Sequence, residues 1–127
     1  MDIQKVLIAD DEKHIREILK MYCEKEGFDV IEAADGAEAI LKVQSEKPDI
    51  LILDIMMPVM NGYEATKMIR SLDREDAKVI PIIAMSAKDA REDMDACKEA
   101  GMNDYLAKPV ELQRLYQVLA EYLENPM

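Results

Sequence analysis

Among its 127 residues the sequence has no tryptophan, one phenylalanine, one histidine and two cysteines. Aromatics make up only 5% of residues and apolar residues 50%, so a core must be built from aliphatic side chains, alanine and methionine. Cys23 and Cys97 belong to no CxxC pair and His14 has no second histidine beside it, which argues against a zinc site. Both cysteines fall on apolar positions of helical patterns, where buried free thiols are common. No signal peptide is apparent, and no apolar run approaches the roughly 20 residues of a membrane-spanning helix. A reducing, cytoplasmic setting is the expectation. Positive charge is also scarce: 16 Lys and Arg stand against 27 Asp and Glu, for a formal net charge of −11. That balance speaks against direct nucleic-acid binding and against docking on an anionic membrane. Most of the excess is expected simply to solvate helix faces.

What is present is an alternation. Short aliphatic runs, Val6–Ala9, Val30–Ala33, Ile50–Leu53, Ile80–Met85 and Tyr105–Ala107, mostly lack polar alternation, as do strands covered on both faces. Between them lie amphipathic stretches. Ile15, Ile18, Leu19, Tyr22 and Cys23 share one helical face, as do Leu112, Leu115, Leu119 and Tyr122. Less regular helical patterns cover Gly36–Glu46, Tyr63–Leu72 and Ala90–Ala100. Gly27 and Gly101 follow helices, and Pro48 and Pro81 stand at strand beginnings. Five βα units without linker or repeat predict one α/β domain over residues 1–127. Its core would be a doubly wound, five-stranded parallel sheet with helices on both faces.

Such sheets place their sites at the carboxyl ends of the strands. There the sequence puts Asp10, Asp11 and Glu12 after the first strand and Asp54 after the third. Ser86 follows the fourth strand and Lys108 the fifth. Each has an ordinary explanation alone, such as a helix-starting acid, a cap or a surface lysine. Their joint placement on one rim is harder to ascribe to chance. Asp10, Asp11 and Asp54 crowded together would repel one another without a cation among them. An all-oxygen site with room for water suits Mg²⁺, or Mn²⁺. A carboxylate beside such an ion can attack phosphorus, with the ion, Lys108 and Ser86 offsetting charge on the transferring group.

Asp10-Asp11, the block Asp54-x-x-x-Pro58-x-Met60-x-Gly62, Ser86-Ala87 and Lys108-Pro109 together resemble the receiver domain of two-component response regulators, the CheY-like family of flavodoxin-like fold. The resemblance covers essentially the whole chain. It implies that Asp54 is the phosphoacceptor, taking a phosphoryl group from a histidine kinase or a histidine phosphotransfer protein. It implies a metal site of Asp11, Asp54 and the Met56 carbonyl, with Asp10 acting largely through water. It assigns Lys108 to the phosphoryl oxygens, with a cis Lys108–Pro109 bond. Ser86 and Tyr105 become the switch. Ser86 moves toward the phosphoryl group and Tyr105 rotates inward, repacking the surface of the fourth predicted helix, fifth strand and fifth predicted helix for a downstream protein target.

Met56 and Lys88 occupy the positions that tune phosphate lifetime in the family. Met56 cannot orient an attacking water, so slow self-dephosphorylation is expected. Serine at 86 departs from the threonine more common there and lacks its methyl, which loosens the switch. At the start of the first helix, where relatives dock the phosphodonor, Ile15 is read as core and His14 as rim. The Pro81–Ala87 and Gly101–Pro109 stretches look most like receivers attached to hybrid sensor kinases, leaving a stand-alone regulator and an excised module both open. Output is expected by protein contact, from a monomer, with a phosphorylation-linked dimer as the other arrangement.

The resemblance makes the chain a signalling module that catalyses only its own phosphorylation and dephosphorylation. The competing reading is a Mg²⁺-dependent phosphatase with an aspartate nucleophile, of the haloacid dehalogenase kind. It expects Asp-x-Asp after the first strand and a cap domain, whereas here the two aspartates are adjacent. A flavin or nucleotide binder would need a glycine-rich loop after the first strand, which is absent.

Overall fold

A run like Ile50–Leu53 carries apolar side chains on both sides of a strand, so it is stable only between two layers. The computed structural model of the protein has that arrangement, and describes residues 3–87 and 90–123. Strands β1 (Lys5–Ala9), β2 (Asp29–Ala33), β3 (Ile50–Asp54), β4 (Ile82–Ser86) and β5 (Asp104–Ala107) form one sheet in the order β2-β1-β3-β4-β5. Every pairing is parallel. Helices α1 (Lys13–Lys25), α2 (Gly36–Glu46), α3 (Gly62–Arg70), α4 (Glu75–Val79), α5 (Ala90–Ala100) and α6 (Leu112–Tyr122) complete it.

Alternate strand residues feed two separate cores. On one face Leu7, Leu51, Leu53 and Ile82 pack with Ala39, Val43, Ala65, Ile69 and Cys97 from α2, α3 and α5. On the other, Val6, Ile8, Ile52, Ile83 and Leu106 pack with Leu19 and Cys23 of α1 and Leu115, Val118 and Leu119 of α6. Ile50 to Leu53 are each 0% exposed. At about 2 kcal/mol per buried aliphatic side chain, β3 alone contributes roughly 8 kcal/mol of burial. That is enough to carry a buried carboxylate at its end, whose desolvation costs several kcal/mol.

Three sequence expectations shift in detail. The helix α4 was not anticipated: five residues are too few to display a 3.6-residue period, and only Ala77 of it is buried. Its N-cap Arg74 donates to the Val43 and Gln44 carbonyls near the end of α2, at 3.3 and 3.1 Å, which holds the turn in place. The fourth and fifth predicted helices are therefore α5 and α6. Strand β4 begins at Ile82, after Pro81, since proline has no N–H to give a ladder. Ile18 and Leu112, assigned to inward faces, are each 38% exposed. Ile18 directly precedes the buried Leu19, and Leu112 stands about one turn ahead of the buried Leu115, so both lie at the edge of the apolar stripe. Gly27 and Gly101, at φ 92° and 104°, end helices as anticipated.

Candidate functional site

The strand order reverses between β1 and β3, and the crevice outside their carboxyl ends is where such sheets bind ligands. Asp54 is the last residue of β3, 3% exposed, and Asp10 follows β1, 0% exposed. Asp11 beside it is exposed. One carboxylate oxygen from each of Asp10, Asp11 and Asp54 lies within 4.8 Å of the others. Lys108, just past β5, reaches into this group: its Nζ is 2.8 Å from Asp10 Oδ2 and 3.0 Å from Asp54 Oδ2.

Each side chain is held by local backbone. Asp10 accepts the Glu12 N–H at Oδ1 (2.9 Å), and its own N–H donates to the Ala33 carbonyl of β2 (3.1 Å). Asp54 accepts the Met56 N–H at Oδ1 (3.1 Å). Gly62 shows why the loop after β3 needs its glycine. Its N–H donates to the Ile55 carbonyl at 3.0 Å, and a Cβ there would stand 2.7 Å from the Asp54 carbonyl oxygen. In the same loop Val59 is fully exposed at φ 69°, a left-handed conformation that a β-branched residue adopts only at a cost. Ser86 ends β4, 4% exposed, and its carbonyl accepts the Lys108 N–H at 2.8 Å, so the fourth and fifth strands deliver both residues to the rim. The Lys108–Pro109 bond is cis.

Electrostatics follow from this crowding. Burial pushes the Asp54 carboxyl above its ordinary pKa and the charge of Asp10 adds to the rise, while the Lys108 hydrogen bond and charge and the Met56 N–H oppose it without prevailing. Burial alone would lower Lys108, but the closely paired carboxylates of Asp10 and Asp54 outweigh it and the net shift is upward. Asp10 Oδ2 is buried and makes no well-angled hydrogen bond, with the Lys108 ammonium as its ion-pair neighbour only. Three ionised carboxylates facing one ammonium leave two negative charges uncompensated, the charge of one divalent cation. The hard oxygen donors and the orphaned buried oxygen fit such an ion.

The other expected residues are placed as follows. Met56 is 69% exposed and gives its N–H to Asp54. Tyr105 is half-buried on β5 against the α2–α5 core, with the Arg114 guanidinium of α6 5.8 Å from its ring centroid. It borders a groove of about 180 Å³ shared with Met94, Cys97 and Met102. His14 is exposed, as expected, and Ile15 is only partly buried, at the margin of the α1–α6 core. Ile15, Ile18 and Tyr22 line an apolar groove of about 240 Å³ with Lys108, Pro109 and Val110. Lys88 lies outside the described residues. Sequence reasoning missed Arg16 and Glu32, whose side chains meet beside Asp10. One signal was available: Glu32 interrupts the otherwise apolar run of β2.

Comparison with known proteins agrees with this geometry. The family model for the response regulator receiver domain matches residues 6–120. The chain is 40% identical over 106 residues to the alkaline phosphatase synthesis transcriptional regulatory protein PhoP of Bacillus subtilis, covering 84% of this chain and 42% of that protein. It is 36% identical over 131 residues to hybrid signal transduction histidine kinase I of Dictyostelium discoideum, covering 96% of this chain and 8% of that one. The chain thus spans less than half the length of these two curated relatives. Among solved structures, chemotaxis protein CheY4 of Vibrio cholerae superposes with TM-score 0.90 at 33% identity, over 96% of this chain and 100% of that one. The receiver domain of a Pseudomonas aeruginosa sensor histidine kinase, solved with a magnesium ion coordinated in its active site cleft, gives TM-score 0.85 at 32% identity over 95% and 98%. Sheet order, rim chemistry and relatives converge, and the chain belongs to the response regulator receiver domains of two-component systems.

Proposed function

We propose that Asp54 accepts a phosphoryl group from a phosphohistidine of a partner kinase or phosphotransfer protein, and that the receiver occupies the chain as one domain. The observation that carries this is the Lys108 ammonium held between acids from two different strands, 2.8 Å from Asp10 and 3.0 Å from Asp54. It leaves Asp54 buried, charged and backed by a cation, yet at an open strand end. An Asp54 carboxylate oxygen attacks phosphorus as the bond from phosphorus to the histidine nitrogen breaks, and the electron pair stays on the imidazole, which leaves neutral after taking a proton. Lys108 turns from its acid partners to the new phosphoryl oxygens, and the Ser86 hydroxyl donates to another. Asp10, Asp11, Asp54 and the Met56 carbonyl are the residues that would hold Mg²⁺, which supplies positive charge to offset the phosphoryl oxygens. Mn²⁺ satisfies the same donor set. Attack by water on the acyl phosphate releases inorganic phosphate and restores Asp54. The chain therefore turns over only its own phosphoryl group. Met56, exposed and apolar, offers that water no hydrogen bond, which favours a long-lived phosphoprotein.

The Tyr105 ring between α5 and α6 is the switch element read from the family. As Ser86 moves toward the phosphoryl group, Tyr105 rotates inward and the α5–β5–α6 surface repacks for a protein target. The apolar groove beside Lys108 is a suitable seat for the phosphodonor's helix. A monomer, with dimerisation linked to phosphorylation, and a cytoplasmic setting complete the reading. Two buried cysteines that form no disulfide support that setting, and no helix among the described residues is long and apolar enough to cross a membrane.

Incubation with Mg²⁺ and a small acyl phosphate tests this by intact mass. One phosphoryl group per chain is expected, absent in Asp54→Asn, decaying slowly after donor removal and faster in Met56→Asn. Sustained multiple-turnover hydrolysis of unrelated phosphate esters would overturn it in favour of a phosphatase.

A further inference from the structure

Asp10 is clamped from every side. Beyond the Ala33, Glu12 and Lys108 contacts already described, its backbone carbonyl accepts Arg16 Nη1 at 2.7 Å. Arg16 is in turn fixed by β2: its Nε donates to Glu32 Oε1 at 3.2 Å, and the Arg16 side chain is only 14% exposed. Lys20, one turn further along α1, lies 3.8 Å from the other Glu32 oxygen. Arg16 thus ties helix α1 and strand β2 to the one residue that bears the most buried carboxylate of the rim. A planar guanidinium can donate to both partners at once, which an ammonium on a lysine stem cannot do in the same geometry.

We infer that Arg16 and Glu32 are positioning residues that hold Asp10 in place and thereby set the affinity of the acid pocket for a divalent cation. Neither side chain contacts the reacting atoms. This rests on the reading of the pocket as a Mg²⁺ site. Charge alone predicts the opposite sign for Arg16. Removing a cation beside the pocket should tighten metal binding, whereas losing the clamp should weaken it. Groups that orient metal ligands typically change affinity tenfold or more when removed.

The test is Mg²⁺ titration of the unphosphorylated chain by calorimetry, for the parent, Arg16→Ala, Arg16→Lys and Glu32→Gln. Expected is a loss of about tenfold in Arg16→Ala, with smaller losses in the other two. In acyl phosphate labelling, the Mg²⁺ concentration for half-maximal rate should rise in Arg16→Ala, while the rate at saturating Mg²⁺ stays close to the parent's. A merely structural role would lower the urea midpoint in EDTA without moving that concentration. Unchanged or tighter Mg²⁺ binding in folded Arg16→Ala overturns the inference and leaves the magnesium site standing. Should Arg16→Ala not fold, Arg16→Lys decides by the same criterion. A parent that binds no Mg²⁺ overturns the metal reading and this inference with it.

Discussion

The two ends of the sheet use the same kinds of residue to opposite effect. At the amino-terminal end, most polar groups are matched to backbone and to one another. Asn103 and Ile82 exchange two hydrogen bonds, Asn103 N–H to the Ile82 carbonyl at 2.8 Å and Ile82 N–H to Asn103 Oδ1 at 2.9 Å. Arg70 donates to the Gly101 carbonyl at 2.8 Å, the Ala77 carbonyl at 3.1 Å and Asn103 Oδ1 at 2.9 Å. Lys5 caps the Glu46 carbonyl at 3.1 Å, while its own N–H donates to Asp49 at 2.7 Å. At the carboxyl end three carboxylates crowd around one lysine that pairs with two of them, and a buried Asp10 oxygen has no well-made hydrogen bond. One end is satisfied save for the buried Gln4 Oε1, and the other holds surplus negative charge. The contrast teaches that burial of polar groups by itself says little about function, and that what sets the carboxyl end apart is buried charge in excess of its counter-charge.

That contrast can be broken most directly at Lys108. Lys108→Met leaves Asp10 and Asp54 buried without their cation and should cost about 3 kcal/mol of stability in metal-free buffer, read by urea unfolding at neutral pH. Added Mg²⁺ should restore part of the loss. No loss in the variant would mean that the acids are less crowded than their distances imply. Arg70→Ala probes the other end, where it strands the Gly101 carbonyl. A cost of about 2 kcal/mol is expected, with labelling by acyl phosphate unchanged. A lost labelling rate would erase the distinction between the two ends.

Smaller effects sharpen the picture. Val59→Asn replaces a β-branched residue at positive φ with one that tolerates it, and should stabilise by about 1 kcal/mol, seen as a raised urea midpoint. The smallest change is expected for Asp54→Asn, a gain under about 1 kcal/mol at neutral pH. Its sign follows from linkage. The folded Asp54 carboxyl has a raised pKa, chiefly through burial, so the folded state binds its proton more tightly than the unfolded chain does. Asp54 therefore weakens the fold above its raised pKa. The penalty fades as pH falls through that value toward the unfolded carboxylate pKa of about 3.9. The variant's advantage should shrink over the same interval, and an advantage that grew on acidification would contradict the assignment.

How much of this was legible beforehand depends on which residues are asked. The aliphatic runs around Leu7, Ile52 and Ile83 announced a sheet covered on both faces, because nothing else can bury unbroken apolar strands. Asp10, Asp54, Ser86 and Lys108 were legible because each directly follows or ends such a run. Helix α4 was not, since its single buried residue, Ala77, leaves no periodic trace. Nor were the Arg16–Glu32 clamp and the Arg70–Asn103 link, which join residues 16 and 33 positions apart. Ile18 and Leu112 were misjudged because a helical face read from spacing has no stated width.

The sequence alone determined the parallel α/β layering and the list of groups at its carboxyl edge, since hydrophobic period and strand-end chemistry are local properties. Only the tertiary structure decided which of those groups touch. Lys108 bridges Asp10 and Asp54, Asp11 stays in solvent, and Arg16 takes the Asp10 carbonyl. Register, twist and the reach of each side chain set those distances, and they depend on the whole chain packing at once.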